Sequence, residues 1–305
     1  MNWRSRQLQG WLAGAVLLLA GVALWQQFQS LSLAQLRAAW DATPGARIAW
    51  ALLATVLSFA CLAAYERFAT ERVAPGRIPP AMALRVGALA HALSNTLGFH
   101  ALTGSAFRYQ QYHPCGVQLG DVAKVLAVVA LSVAAGVVLV SAVAFVSLQW
   151  SAAAWPWLVQ LASLAGLAVL AALGWRPLRV KLAATQLAWP ALARLLPVAA
   201  LEMVAAIGAL YVLLPAASVP GLAAFVLIFV GAMMLGIASH APGGIGVFEA
   251  TVLAALPARH HAGVLVALLL YRAIYNLLPF ALALLALAIQ ALRARPVAPS
   301  VRGRV

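Results

Sequence analysis

Charge is what this sequence has least of. Only 9% of its 305 residues are charged, and six acids stand against twenty lysines and arginines. Soluble domains carry about 25% charged and roughly 45–50% apolar residues. Here 65% are hydrophobic and the mean hydropathy is +0.97, too little polar surface to keep a folded particle dissolved. A water-soluble enzyme is excluded. Other absences narrow the field further. The two cysteines, Cys61 and Cys115, form no CxxC and no disulfide framework. Aromatic residues do not interleave the arginines, so nucleic acid is not an expected partner. His260 and His261 are adjacent and cannot both face one metal from a helix, and His113 with Cys115 lacks further ligands, so no metal site is expected. No Ser/His/Asp or Cys/His nucleophile arrangement is present, and no cofactor motif. A channel is disfavoured because no apolar run carries a continuous polar stripe.

What is present is a series of long apolar runs, at residues 11–28, 48–68, 122–148, 157–173, 195–214, 222–239 and 264–289. At about 20 residues per span, about seven or eight transmembrane helices fit, with no room for an extramembrane domain. The predicted fold is therefore all-α, a polytopic integral membrane protein forming a single domain over residues 1–305. The first run follows Arg4 and Arg6 but no A-x-A cleavage site follows it, so a retained span is expected. Its Gly10 and Gly14 form a GxxxG pair, which a dimer face or chance explains equally.

Fourteen of the twenty basic residues lie in four hydrophilic places. These are Arg4 and Arg6; Arg67, Arg72, Arg77 and Arg85; Arg176, Arg179, Lys181 and Arg194; and Arg293, Arg295, Arg302 and Arg304. By the positive-inside rule they are cytoplasmic, which puts both termini inside and the uncharged links 149–156 and 215–221 outside. Parity then requires residues 81–120 to enter and leave on one side, as a re-entrant hairpin or a pair of short helices. Residues 241–261 must cross or nearly cross, although they are too interrupted for an ordinary span. Broken segments of this kind point to a transporter's binding site, because irregular backbone at membrane depth is tolerated only inside protein or around a wet cavity.

The polar residues collect in these two segments. The first reads HALSNTLGFHALTGSAFRYQQY over 91–112, with Ser94, Asn95, Thr96, Thr103, Arg108 and Tyr109. Ser, Asn and Thr compete for backbone hydrogen bonds, so a helix from about Ala81 is predicted to stop at Ser94. Capping of a surface turn is the alternative use for them. The second segment reads SHAPGGIGVFEATVLAALP over 239–257. Gly243, Gly244 and Gly246 free the backbone, and residues 247–256 make a helix of roughly 15 Å, half the hydrocarbon thickness. Glu249 lies in its first turn, where the helix dipole favours a carboxylate and exposed amides could receive an anion. No Lys-Ser/Thr follows the glycines, so this is not a nucleotide P-loop; a packing turn is the alternative.

The last run carries YRAIYNLLP. Arg272, Asn276 and Pro279 fall on one face, with Tyr271 and Tyr275 on a neighbouring stripe. An arginine roughly 13 Å into a span must face the protein interior and pair. Glu249, Glu202 or a ligand phosphate are its candidate partners, a structural salt bridge being the bland outcome. Glu202 is the other acid stranded in an apolar run.

At SNTLGFHALTGSAFRYQQY, SHAPGGIGVFEA, LLLYRAIYNLLPF and the acid of ALEMVAAIGALYVLLP, the chain resembles the flippase domain of the bifunctional lysylphosphatidylglycerol synthetase/flippase family, also called multiple peptide resistance factor, and its stand-alone relatives. The elements share that family's order and spacing over essentially the whole chain. The resemblance implies a bacterial cytoplasmic-membrane protein that moves a phospholipid, anionic or aminoacylated, from inner to outer leaflet. Full-length members continue into an aminoacyl-tRNA-dependent synthase; the chain ends at Val305, so no aminoacyltransferase activity is expected. One departure is Arg108-Tyr109-Gln110, where relatives often carry Arg-Tyr-Arg and hence one more cation. The expected substrate-binding set is Ser94, Asn95, Thr103, Arg108, Tyr109, Glu202, Gly243, Gly244, Gly246, Glu249, Tyr271, Arg272, Tyr275 and Asn276, with Arg108 and Arg272 on phosphate and the two glutamates on a cationic headgroup. A homo-oligomer or a separately encoded synthase are the expected protein partners. From another class, the alternative is a membrane-embedded accessory or assembly protein of a lipid or glycan synthase.

Overall fold

The computed structural model describes residues 33–97, 100–151, 189–239, 242–257 and 261–293. Among them every regular element is helical. In chain order the α-helices are α1 (Leu33–Asp41), α2 (Gly45–Val73), α3 (Pro80–Leu97), α4 (His100–Tyr112), α5 (Leu119–Ser151), α6 (Trp189–Tyr211), α7 (Leu222–Ala238), α8 (Val247–Ala255), α9 (His261–Tyr271) and α10 (Leu278–Arg293). A π-helical turn, Arg272–Leu277, joins α9 to α10. The expected spans at 11–28 and 157–173 lie outside the described residues, with Gly10, Gly14, Arg4, Arg6, Arg176, Arg179, Lys181, Arg295, Arg302, Arg304 and His260.

Among the described residues four helical stretches are long and apolar enough to cross a membrane: Gly45–Val73, Leu119–Leu148, Ala193–Tyr211 and His261–Gln290. Their outward faces carry Leu53, Val56, Val138, Val143, Leu269 and Leu285, large side chains exposed to the surroundings. Such a surface is stable only where hydrocarbon covers it. The chain is thus a helical membrane protein. The core lies between α2, α6, α7, α8 and α9, around Ile207, Leu210, Phe225, Phe229, Leu253 and Leu268.

Two hydrogen bonds fix the ends of the bundle. Arg47 on α2 donates to the Leu214 carbonyl at 2.9 Å, so the start of α2 and the exit of α6 share one end. Arg77, after α2, donates to the Gly116 carbonyl ahead of α5 at 3.3 Å, so the exit of α2 and the entry of α5 share the other. Arg67, Arg72, Arg77, Arg85, Lys124 and Arg194 are all exposed. The α3–α4 pair between α2 and α5 therefore leaves and returns on one side, as the parity of the sequence requires. Ser94 meets Thr103 across the connection at 3.3 Å, and α4 folds back along α3.

One expectation is corrected. Helix α3 does not stop at Ser94 but runs to Leu97. Ser94 is buried where α3 meets α4, and its hydroxyl accepts a bond from Thr103 instead of capping. Tertiary packing overrides the weak local preference of Ser and Asn against helix.

Candidate functional site

The final span is distorted where Pro279 requires it. Proline lacks an amide hydrogen, and its ring crowds the carbonyl four residues earlier, that of Tyr275. The chain widens into the π turn, and the Leu278 amide reaches back five residues to the Ala273 carbonyl. Arg272 and Asn276 emerge on one side of this turn. Tyr271 and Tyr275 stack on the other, with ring centroids 5.1 Å apart and planes at 15°.

Arg272 meets the glycine turn. Its Nε donates to Oε1 of Glu249, and its Nη1 donates to the Gly243 carbonyl at 2.8 Å. The other carboxylate oxygen of Glu249 accepts the Gly246 amide at 2.8 Å, closing the first turn of α8. The guanidinium also lies 5.4 Å from the Phe248 ring centroid, within cation–π range. Gly243, Gly244 and Gly246 have φ of 60°, 66° and 89°. Only glycine adopts such values freely, so the turn cannot form with larger residues. A Cβ on Gly243 would also sit 3.1 Å from the carbonyls of both Asn95 and Thr96, so the turn lies directly on the end of α3.

That helix end completes the site. The last carbonyls of a helix have no partner inside it. The Asn276 amide nitrogen donates to the Asn95 carbonyl at 3.4 Å, and the Thr96 hydroxyl donates to the Asn276 carbonyl at 3.2 Å. A cavity of about 250 Å³ opens between these parts, lined by Asn95, Thr96, Gly243, Gly246, Glu249, Arg272 and Asn276 on its polar side. Its other wall is apolar, with Ile245, Leu269 and Leu277, which are themselves exposed on the outer face. Asn276 is 9% exposed, and its Oδ1 has no hydrogen-bond partner. Arg272 uses two of its three nitrogens on the protein, leaving Nη2 to a ligand. The cavity therefore sets the Arg272 guanidinium beside an apolar exit, with the Asn276 Oδ1 enclosed in its wall.

Of the fourteen expected residues, Asn95, Gly243, Gly246, Glu249, Arg272 and Asn276 line this cavity. Gly244 lies behind it, packed against Gly236, and the two tyrosines back the π turn. Arg108 does not face the cavity, contrary to the expectation that it shares a phosphate with Arg272. Its guanidinium donates through Nε and Nη2 to the carboxylate of Glu66 on α2, at 2.9 and 2.7 Å, and Tyr112 donates to the same carboxylate at 2.9 Å. Both partners are sealed, Arg108 at 2% and Glu66 at 0% exposure. Ser94 and Thr103 belong to the α3–α4 contact, and the Tyr109 ring lies 5.0 Å from that of His113. Glu202 stands apart from Arg272, bonded instead to Ser58.

Glu66 and Ser58 escaped the sequence reading. Glu66 sits among Arg67, Glu71 and Arg72 and reads as one more surface charge. Yet Arg67 pairs locally with Glu71 at 2.9 Å, both half exposed. Helical phase places Glu66 with Leu62, Tyr65, Ala69 and Thr70 on the buried stripe, which is the signal that could have found it.

A helical membrane protein with a Gly-broken half-helix facing a π-distorted span is the class these features define. No family model matches the chain. It is 30% identical over 261 residues to the uncharacterized protein slr0712 of Synechocystis, an alignment covering 79% of this chain and 78% of that protein. The chain belongs to the family of slr0712.

Proposed function

We propose that the protein is a lipid translocase, carrying a phospholipid headgroup across the bacterial cytoplasmic membrane from inner to outer leaflet. The observation that carries this reading is the cavity of about 250 Å³ with Arg272 and Asn276 on one wall and exposed Ile245, Leu269 and Leu277 on the other. It falls below the roughly 300–1,000 Å³ of ordinary small-molecule sites, so it accommodates a headgroup and not a whole lipid. Acyl tails leave over the apolar wall into the bilayer while the phosphate meets Arg272, where a charge-assisted bond in low dielectric is strong. The sequence resemblance to the lysylphosphatidylglycerol flippase domain supports the same substrate class.

In this reading the protein has about seven or eight spans with both termini cytoplasmic, makes and breaks no covalent bond, and acts as a homo-oligomer or beside a separate synthase. The competing reading, an accessory protein of a lipid or glycan synthase, draws on one feature: Glu249 and Arg272 already satisfy each other and the glycine turn. Leaflet-accessibility measurements on proteoliposomes test the choice, using tagged phosphatidylglycerol, lysylphosphatidylglycerol and phosphatidylcholine. The protein is expected to speed movement of the first two over protein-free vesicles. Equal rates with and without protein for all three lipids would overturn the translocase reading.

A further inference from the structure

A further buried acid lies on the tyrosine side of the π turn. Glu202 on α6 is 4% exposed, and the Ser58 hydroxyl of α2 donates to its Oε1 at 3.0 Å. Ser58 also stands 2.8 Å from the Tyr275 hydroxyl on the π turn. The second carboxylate oxygen, Oε2, has no hydrogen-bond partner. Among the described residues no cation pairs with Glu202, since the four ion pairs lie elsewhere and Arg272 is turned toward Glu249.

Among the described residues the titratable groups facing Glu202 are hydroxyls and one thiol. On α2 these are Ser58, Cys61 and Tyr65; on α9 and the π turn they are Tyr271 and Tyr275. Helix α7 contains no titratable residue, and the only charges of α5, Asp121 and Lys124, pair with each other in its first turns. On its own helix Arg194 is exposed, two turns before Glu202. An ionised carboxylate with one bare oxygen in this setting is far costlier than the neutral acid.

Resting on the translocase reading, we propose that Glu202 is a proton-carrying site that couples lipid movement to the transmembrane proton gradient. The proton is held on the Glu202 carboxyl in the state described here. On release it passes through the Ser58 and Tyr275 hydroxyls, each taking one proton and giving one up, to water admitted at the π turn when a ligand shifts it. The carboxylate left behind is reprotonated from the opposite side of the membrane later in the cycle. The π turn supplies the mechanical link: Arg272 and Asn276 on one side contact the cavity, and Tyr275 on the other ends the hydroxyl relay. A ligand that shifts this turn shifts both, and π-helical distortions recur at such working positions.

The test uses full-length protein, wild type, Glu202→Gln and Ser58→Ala, with two readouts. Infrared spectra in light and heavy water at neutral pH are expected to show a protonated-carboxyl band in the wild type that is lost in Glu202→Gln, the neutral isostere, and that exchanges more slowly in Ser58→Ala. A band unchanged in Glu202→Gln overturns the proton site whether or not lipid moves. In proteoliposomes a pH gradient of one unit is expected to shift the wild-type leaflet distribution by up to about tenfold for one proton per lipid, and to leave Glu202→Gln without response. Wild-type movement indifferent to the gradient overturns the coupling. A wild type that moves no lipid at all refutes the translocase reading, and the infrared band then decides the proton site alone.

Discussion

Among the described residues two largely enclosed Glu–Arg pairs share the same chemistry in different settings. Glu66–Arg108 is sealed, at 0% and 2% exposure, with two guanidinium nitrogens and a tyrosine hydroxyl on one carboxylate. Glu249–Arg272 is partly open, at 11% and 17%, held by a glycine turn and bordering a cavity. In the first pair the polar capacity of the carboxylate is met by the protein, and α3 is drawn close enough that a Cβ on Gly87 would collide with Glu66. In the second, one guanidinium nitrogen of Arg272 remains for something else. An identical ion pair is therefore a fastening in one place and a receptor in the other, and what separates them is whether the protein alone completes the hydrogen bonding.

The largest effect expected from breaking this contrast falls on the sealed pair. Arg108→Ala leaves Glu66 charged and enclosed, which costs roughly 3–5 kcal/mol. Thermal unfolding of the detergent-purified variant should show a large drop in midpoint and yield. Replacing Glu66 and Arg108 together by Gln and Met should recover most of it. Should Arg108→Ala unfold like wild type while losing lipid movement, the sealed pair would have to be counted with the site.

A smaller effect on stability, with a larger one on function, is expected at the turn that holds the open pair. Gly244→Leu places a side chain at φ 66° and against Gly236, whose Cα is 3.4 Å from the position of the added carbon. Holding a non-glycine residue there costs of order 1–3 kcal/mol. The variant should insert and remain folded by thermal unfolding, yet move no lipid, because the turn no longer presents Gly243 and Gly246 to Arg272 and Glu249. Normal lipid movement by Gly244→Leu would show that the broken segment is only a packing turn.

The open pair was legible in the sequence and the sealed one was not. Three glycines at fixed spacing before an acid, and an arginine seven residues ahead of a proline, each require unusual backbone. That need survives without knowledge of the fold. The half-helix α8 ends one residue from its predicted limit for the same reason. Glu66 and Arg108 meet only because α4 folds back along α3 beside α2, a long-range fact that a hydrophilic stretch such as YERFATER does not betray. Asn276 was placed on the correct face, but its enclosed acceptor depends on the end of α3, which outran its predicted stop. The short helix α1 was not anticipated at all, since LAQLRAAWD lacks a long apolar run.

The most direct test is the lipid movement of the double variant Glu249→Gln/Arg272→Gln, measured beside wild type and both single variants at equal amounts of inserted protein, with thermal stability taken on the same four preparations. If the open pair is a receptor, the double variant is stable and moves no lipid, because removing the unpaired-charge penalty of the single variants does not replace the guanidinium that meets phosphate. A double variant that is well folded and moves lipid at the wild-type rate would show that Glu249 and Arg272 only hold the protein together.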